Sequence, residues 1–128
     1  MENFNDLKKI IEKVKINYQL NKTETWTNGS QTYFKELQKE IQETLIEYKA
    51  NKQVHLEDEL GDILWDYLNL LENLKQEGKI ESIEKIFQRA NKKYTQRIDG
   101  FIAGDSWTNI KNKQKKELLL EQNNLDKL

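Results

Sequence analysis

Residues 56–74 read LEDELGDILWDYLNLLENL, and the spacing of their apolar side chains decides the fold. Leu56, Leu60, Ile63, Leu64, Tyr67, Leu68, Leu71 and Leu74 recur every three or four positions, which makes one apolar face on an α-helix that stops near Gly78. Upstream, Phe34, Leu37, Ile41, Leu45 and Tyr48 predict a second such helix, joined to the first by a polar turn at residues 51–53. Further upstream, Phe4, Leu7, Ile10, Ile11, Val14 and Tyr18 predict an N-terminal amphipathic helix. Between the two, residues 21–30 carry Thr23, Thr25, Thr27, Asn28, Gly29 and Ser30, which favour loop and cap chemistry. Downstream, Ile80, Ile83, Ile86, Phe87, Ala90, Tyr94 and Ile98 predict a helix that reaches a glycine break at residues 100–104. A polar helix then runs from about Trp107 to Glu121. The expectation is an all-α bundle of four to five antiparallel helices. It forms one domain over residues 1–128, with a core at about 4–117 and a polar C-terminal tail.

Composition agrees and narrows the chemistry. The 128 residues include no Pro and five Gly, a helical composition and not that of a sandwich or barrel. Charged residues make up 34%, yet the net charge is −1, so no strong field draws the chain to nucleic acid. The absence of Cys excludes disulfides, thiolate zinc sites and cysteine nucleophiles. A single His, His55, rules out a His-rich metal site and sits where an exposed turn residue is expected. It also counts against a ferritin-like di-iron bundle, whose sites use Glu-x-x-His pairs. The N-terminal residues MENFNDLKKIIEKVK are charged throughout, and no run approaches the length of a membrane span. The expected location is the cytoplasm, with no membrane partner.

The acids are the most informative residues. Glu40/Glu43 and Glu59/Asp62 are i, i+3 pairs, so each sets two carboxylates on neighbouring positions of one helix face. At about 1.5 Å per residue, Glu43 lies roughly 10 Å before the turn and Asp62 roughly 10 Å after it. A hairpin therefore brings all four level across two antiparallel helices. Four close carboxylates repel unless a cation sits among them, and oxygen-only ligands suit Mg²⁺ or Mn²⁺. In projection, the strip Glu36, Glu40, Glu43 and Glu47 lies a quarter-turn beside the apolar stripe, so the acids are expected to line its edge. Ordinary solvated helix faces interleave Lys with acids, but residues 56–64 contain no Lys or Arg. Gly61 inside a helical pattern suggests close approach of another backbone.

The same residues resemble a known family. Lys39-Glu40-Ile41-Gln42-Glu43, then Glu59-Leu60-Gly61-Asp62-Ile63-Leu64-Trp65, is similar to the ExxE…ExxD signature of MazG-like nucleotide pyrophosphohydrolases. Trp26-Thr27-Asn28-Gly29-Ser30-Gln31-Thr32 resembles the Trp-containing loop before the first acidic helix of that family. Lys93-Tyr94-Thr95-Gln96-Arg97 resembles its Lys…Arg stretch, and Trp107-Thr108-Asn109-Ile110-Lys111 its Trp-x-x-Ile-Lys segment. The likeness spans about residues 20–117. It departs from the family at Lys39, where many members have a first Glu, and at Ile98-Asp99-Gly100, where a His-Pro-His-like stretch often stands. Asp66 is an extra acid, one turn after Asp62.

The resemblance implies an all-α enzyme that cleaves NTPs or dNTPs between the α and β phosphates, giving a monophosphate and pyrophosphate. It makes Glu40, Glu43, Glu59 and Asp62 both Mg²⁺ ligands and catalytic residues, with Mn²⁺ a possible substitute. Lys93, Arg97 and Lys111 become candidates for phosphate contacts, and Trp26 or Trp107 for stacking on the base. A homodimer or higher homo-oligomer fits the family, and Trp65, which projects away from the acids and the stripe, is expected in the subunit interface. Two alternatives stand beside it: a dUTPase-like or phosphoribosyl-ATP pyrophosphatase activity, and a non-catalytic helical interaction module.

Overall fold

The computed structural model describes residues 4–22 and 27–128. Five helices occupy them: α1 (Phe4–Asn21), α2 (Ser30–Ala50), α3 (Gln53–Gln76), α4 (Ile83–Ile102) and α5 (Trp107–Asp126). Helices account for 85% of the described residues and strands for none, so the all-α expectation holds. Among the described residues, no helix is long and apolar enough to cross a membrane. The chain divides into two compact units, Met1–Ile83 and Glu84–Leu128.

In the first unit α3 packs on both α1 and α2. Its residues Leu68, Asn69, Leu70, Leu71, Glu72 and Asn73 are all buried, as a helix covered on several sides requires. Three of those six are polar, and the asparagines are matched. Asn17 of α1 donates to Asn69 Oδ1 at 2.8 Å and to the Tyr33 hydroxyl of α2 at 3.2 Å. Asn69 Nδ2 returns to the Trp65 carbonyl at 2.9 Å, and Asn73 Nδ2 to the Asn69 carbonyl at 2.8 Å. The network locks the three helices in register, because slipping any of them would leave a buried amide unpaired.

Two caps fix the hairpin that carries the acids. Asn51 ends α2 in the left-handed region (φ 54°, ψ 46°), which Asn tolerates better than most residues. Only Asn51 and Lys52 separate α2 from α3, so the helices fold back as an αα-hairpin. At the other end Gly29 adopts φ 65°, ψ −134°, and Ser30 opens α2 against Glu77 from beyond α3. The Ser30 amide donates to Glu77 Oε2 at 2.9 Å and its hydroxyl to Oε1 at 2.7 Å. A negative charge thus sits at the positive end of the helix.

In the second unit, Arg97 of α4 donates through Nε to Gln114 Oε1 of α5 at 2.8 Å. Gln114 in turn donates to the Lys93 carbonyl at 2.9 Å. The expected break at residues 100–104 is shorter than the sequence suggests, since α4 runs through Gly100 to Ile102. The reason is close packing: a Cβ on Gly100 would sit 2.5 Å from Ile110 Cδ1. Gly104, at φ 99°, makes the turn instead. The last helix also extends past Glu121, to Asp126.

Candidate metal centre

The α2–α3 hairpin brings the acids together. Glu40 and Glu43 of α2 and Glu59 of α3 each offer an oxygen, and the three lie within 4.8 Å of one another. Asp62 joins through α3 itself, where Asp58, Glu59 and Asp62 form a triad of the same tightness. A third triad unites Glu36 and Glu40 of α2 with Asp66 of α3. The centre is thus a continuous belt along the hairpin. Asp58 was not singled out from sequence; it lies one residue before Glu59, and no spacing rule sets it apart from its exposed neighbours.

The belt is more enclosed than the sequence suggests. Glu36, Glu40, Glu43 and Glu59 are half-buried and Asp66 is buried, while Asp62 stays exposed. The apolar stripe expected to bury against the hairpin is the part left open: Ile41 is 54% exposed and Leu60 49%. Leu45, Leu64 and Tyr67 are exposed as well. Along this stretch Glu36, Glu40, Glu43, Glu59 and Asp66 are more covered than Ile41, Leu45, Leu60 and Leu64. That costs free energy for charged groups without partners. The Glu40 Oε2 and Glu59 Oε2 atoms are buried and have no hydrogen-bond partner among the described residues.

Titration reflects the crowding. Burial, reinforced by the neighbouring carboxyls of Glu59, Glu43 and Asp62, raises the Glu40 carboxyl to about 7. Burial and the charges of Glu36 and Asp62 raise Asp66 to about 6, with partial relief from Lys39. Oxygen-only donors, orphaned buried carboxylate oxygens and spacing within an ångström or so of an ion's coordination sphere all fit a hard divalent cation.

Gly61 does not play the part its position suggests: among the described residues a Cβ there would meet nothing within 4 Å, so no other described backbone closes on it. His55 is exposed in the first turn of α3, as expected. Trp65 is half-buried on α3. Trp26 lies outside the described residues.

The expected phosphate-binding cations belong to the second unit. Arg97 is buried, with its guanidinium 5.3 Å from the Tyr94 ring centre and 5.6 Å from that of Trp107. Stacked and bonded to Gln114, it holds α4 and α5 together. Lys93 and Lys111 are exposed, Lys93 with its ammonium 5.5 Å from the centre of the Tyr94 ring.

A family model described as the MazG nucleotide pyrophosphohydrolase domain matches residues 28–101, more than half of the chain. The match includes every acid of the belt together with Lys93 and Arg97, and it ends before Lys111. No curated protein and no solved structure matches the chain.

Proposed function

Since the chain belongs to the MazG nucleotide pyrophosphohydrolase domain family, we propose that it cleaves nucleoside or deoxynucleoside triphosphates between the α and β phosphates, releasing a monophosphate and pyrophosphate. Glu40, Glu43, Glu59 and Asp62 hold Mg²⁺, for which Mn²⁺ can substitute. The observation that carries this reading is the set of carboxylate oxygens withdrawn between α2 and α3 without partners. Such a burial is unfavourable for the bare protein and becomes favourable once a cation is shared among the acids.

When bound, Mg²⁺ supplies positive charge for the phosphate oxygens and lowers the pKa of a water. Phosphoanhydride hydrolysis otherwise asks the protein for positioning more than for covalent work. The rigid hairpin provides that, with the Asn17–Asn69–Tyr33 network behind it. A glutamate of α2, Glu40 or Glu43, takes the proton of the attacking water. Lys93 and Lys111, both exposed, are assigned to the phosphates, where cations offset charge that the metal leaves uncompensated, while Arg97, expected there from the resemblance, is buried and engaged with Gln114. Trp26 is assigned to the base.

The whole chain acts as one domain, since the family match runs across the boundary between its two units. It works as a homodimer or higher homo-oligomer in the cytoplasm. The exposed apolar residues Ile41, Leu45, Leu60, Leu64 and Tyr67 of α2 and α3 support association, because apolar side chains left open on neighbouring helices favour an interaction surface. Sedimentation equilibrium showing monomer alone would remove the oligomer.

The test of the reaction is product analysis of a panel of canonical and modified NTPs and dNTPs with Mg²⁺, comparing wild type with Glu59→Gln. Monophosphate and pyrophosphate from the wild type, lost in the variant, is the expected result. A folded wild type that turns over no nucleotide with Mg²⁺ or Mn²⁺ contradicts it and favours a non-catalytic interaction module.

A further inference from the structure

We propose that the cavity bordered by α1, α2 and α3 receives the nucleobase of the substrate and selects bases with an exocyclic amino group, cytosine and adenine, over uracil, thymine and hypoxanthine. This preference, which rests on the function just proposed, names the substrate class of that site.

The faces of the hairpin lead to the cavity. On α3 the face that carries Glu59, Asp62 and Asp66 continues, in alternating steps of three and four, through Asn69, Asn73 and Gln76. On α2 the face that carries Glu43, Glu40 and Glu36 continues to Tyr33. Both faces change along the hairpin from carboxylates, which suit a cation, to amides and a phenol, which suit a neutral hydrogen-bonding ligand. The cavity lies at the amide end, with Asn21, Gly29, Tyr33, Asn73, Gln76 and Glu77 on its wall and a volume of about 260 Å³. Sites that enclose a drug-sized molecule run to about 300–1,000 Å³, so this space takes a base and leaves the sugar and phosphates outside. Tyr33 precedes Glu36 by three residues and Asn73 follows Asp66 by seven. The cavity therefore begins about 5–10 Å along the helices from the acids, an interval that a ribose bridges between a base and a metal-bound phosphate.

Hydrogen bonding sets the preference. Each amide on the wall already donates within the protein: Asn21 Nδ2 to the Tyr33 hydroxyl at 3.5 Å, Asn73 Nδ2 to the Asn69 carbonyl at 2.8 Å and Gln76 Nε2 to Glu72 Oε1 at 3.0 Å. Among the described residues nothing donates to the side-chain carbonyl oxygens of these three. Glu77 accepts from Ser30 through both oxygens and keeps further lone pairs. The wall thus presents acceptors.

Two of those acceptors border one space. A Cβ on Gly29 would lie 2.7 Å from Glu77 Oε2 and 3.7 Å from Asn73 Oδ1, and glycine leaves that space open. An amino group donates one hydrogen to each, and its bond to the carboxylate is charge-assisted. Cytosine N4 and adenine N6 supply such a group, whereas thymine and uracil set the O4 acceptor in its place, lone pair against lone pair. The rings of Tyr18 and Tyr33, also on the wall, suit the flat face of a base.

The experiment measures kcat/KM with Mg²⁺ for CTP against UTP and for ATP against ITP, on full-length wild type, Glu77→Gln and Asn73→Ala. Both variants are checked for helicity: glutamine keeps an acceptor for Ser30, and alanine is the better helix former. The wild type is expected to favour CTP and ATP by at least about tenfold, because acceptors that face another acceptor go unpaired. Both ratios should fall in Glu77→Gln, whose amide can donate to O4, and in Asn73→Ala. Equal or reversed ratios in the wild type, or undiminished ratios in both variants, overturn the base assignment and leave the cleavage reaction standing. A second readout needs no turnover: cytidine and uridine are titrated against the side-chain amide resonances of Asn21, Asn73 and Gln76. Cytidine should shift them at lower concentration than uridine, and no shift with either nucleoside overturns the assignment. A wild type that cleaves no nucleotide yet shows the cytidine shifts refutes the reaction and keeps the cavity.

Discussion

Replacing Glu77 by Ala removes the cap of the helix that carries half of the proposed metal site, and the cost can be worked from the contacts. Glu77 accepts from the Ser30 amide at 2.9 Å and from the Ser30 hydroxyl at 2.7 Å. Hydrogen bonds to a charged group contribute about 1.5–3 kcal/mol each, and a lost N-cap costs about 1 kcal/mol. Glu77 itself is exposed, so water replaces part of what it gives. Ser30 is only 3% exposed, so water replaces less on its side. A destabilisation of about 2 kcal/mol follows. Gly29→Ala attacks the same contact differently. Its φ of 65° with ψ of −134° is glycine territory, and the new Cβ would lie 2.7 Å from Glu77 Oε2. Backbone strain alone costs about 1–3 kcal/mol, and the carboxylate is pushed off as well. The double variant Gly29→Ala/Glu77→Ala should therefore lose about 1 kcal/mol less than the sum of the single losses. Urea denaturation followed by far-UV circular dichroism gives these values from midpoints at constant slope. A Glu77→Ala change within about 0.5 kcal/mol of zero, or strict additivity in the cycle, would refute the cap.

Other consequences are equally direct. Glu40 and Asp66 have carboxyls raised in the fold, to about 7 and about 6 from 4.5 and 3.8, so the ionised forms are the disfavoured ones. Their contribution to stability is full below pH 3.8 and is lost as pH rises through about 6 and about 7. Thermal melts in EDTA should therefore show stability falling across that window. Asp66→Asn should make the fall shallower, and Mg²⁺ at pH 7.5 should reverse it. An EDTA profile that rises through the window would contradict the raised carboxyls. Gly100→Ala should cost about 1–3 kcal/mol by overpacking Ile110, and Ile110→Val, which lacks the clashing Cδ1, should recover part of it; equal losses in the single and double variants would exclude that contact. Arg97→Lys should cost about 1–2 kcal/mol and shift Trp107 fluorescence, because lysine reproduces neither the Nε bond to Gln114 nor the planar stack; an unchanged melt and spectrum would leave Arg97 no structural role.

Much of this was legible in the chain. Helical spacing gave α3 in full, because its apolar residues repeat without interruption from Leu56 to Leu74 and Gly78 stops it. The acid pairs were legible because an i, i+3 spacing and a short polar turn leave little freedom in where two helices put their side chains. Burial was less legible. Periodicity says which residues share a face but not which face turns inward, and on the hairpin Glu40, Glu43, Glu59 and Asp66 turned in while Ile41 and Leu60 stayed out. Glu36 and Asp66 stood in the sequence as a strip member and an extra acid, and only the pairing of α2 with α3 makes them neighbours. The Asn17–Asn69–Tyr33 network was invisible, since asparagine in a polar helical sequence carries no signal of burial. Gly100 misled because a glycine packed for close approach reads the same as one that breaks a helix.

The most direct test of the central claim, that the carboxylates of α2 and α3 hold the cation that serves nucleotide cleavage, is anomalous diffraction at the manganese edge. It needs crystals grown with Mn²⁺ and a non-hydrolysable triphosphate analogue. The account predicts an anomalous peak among Glu40, Glu43, Glu59 and Asp62, with the phosphates against it. Nucleotide bound elsewhere, with no peak among those four acids, would contradict it.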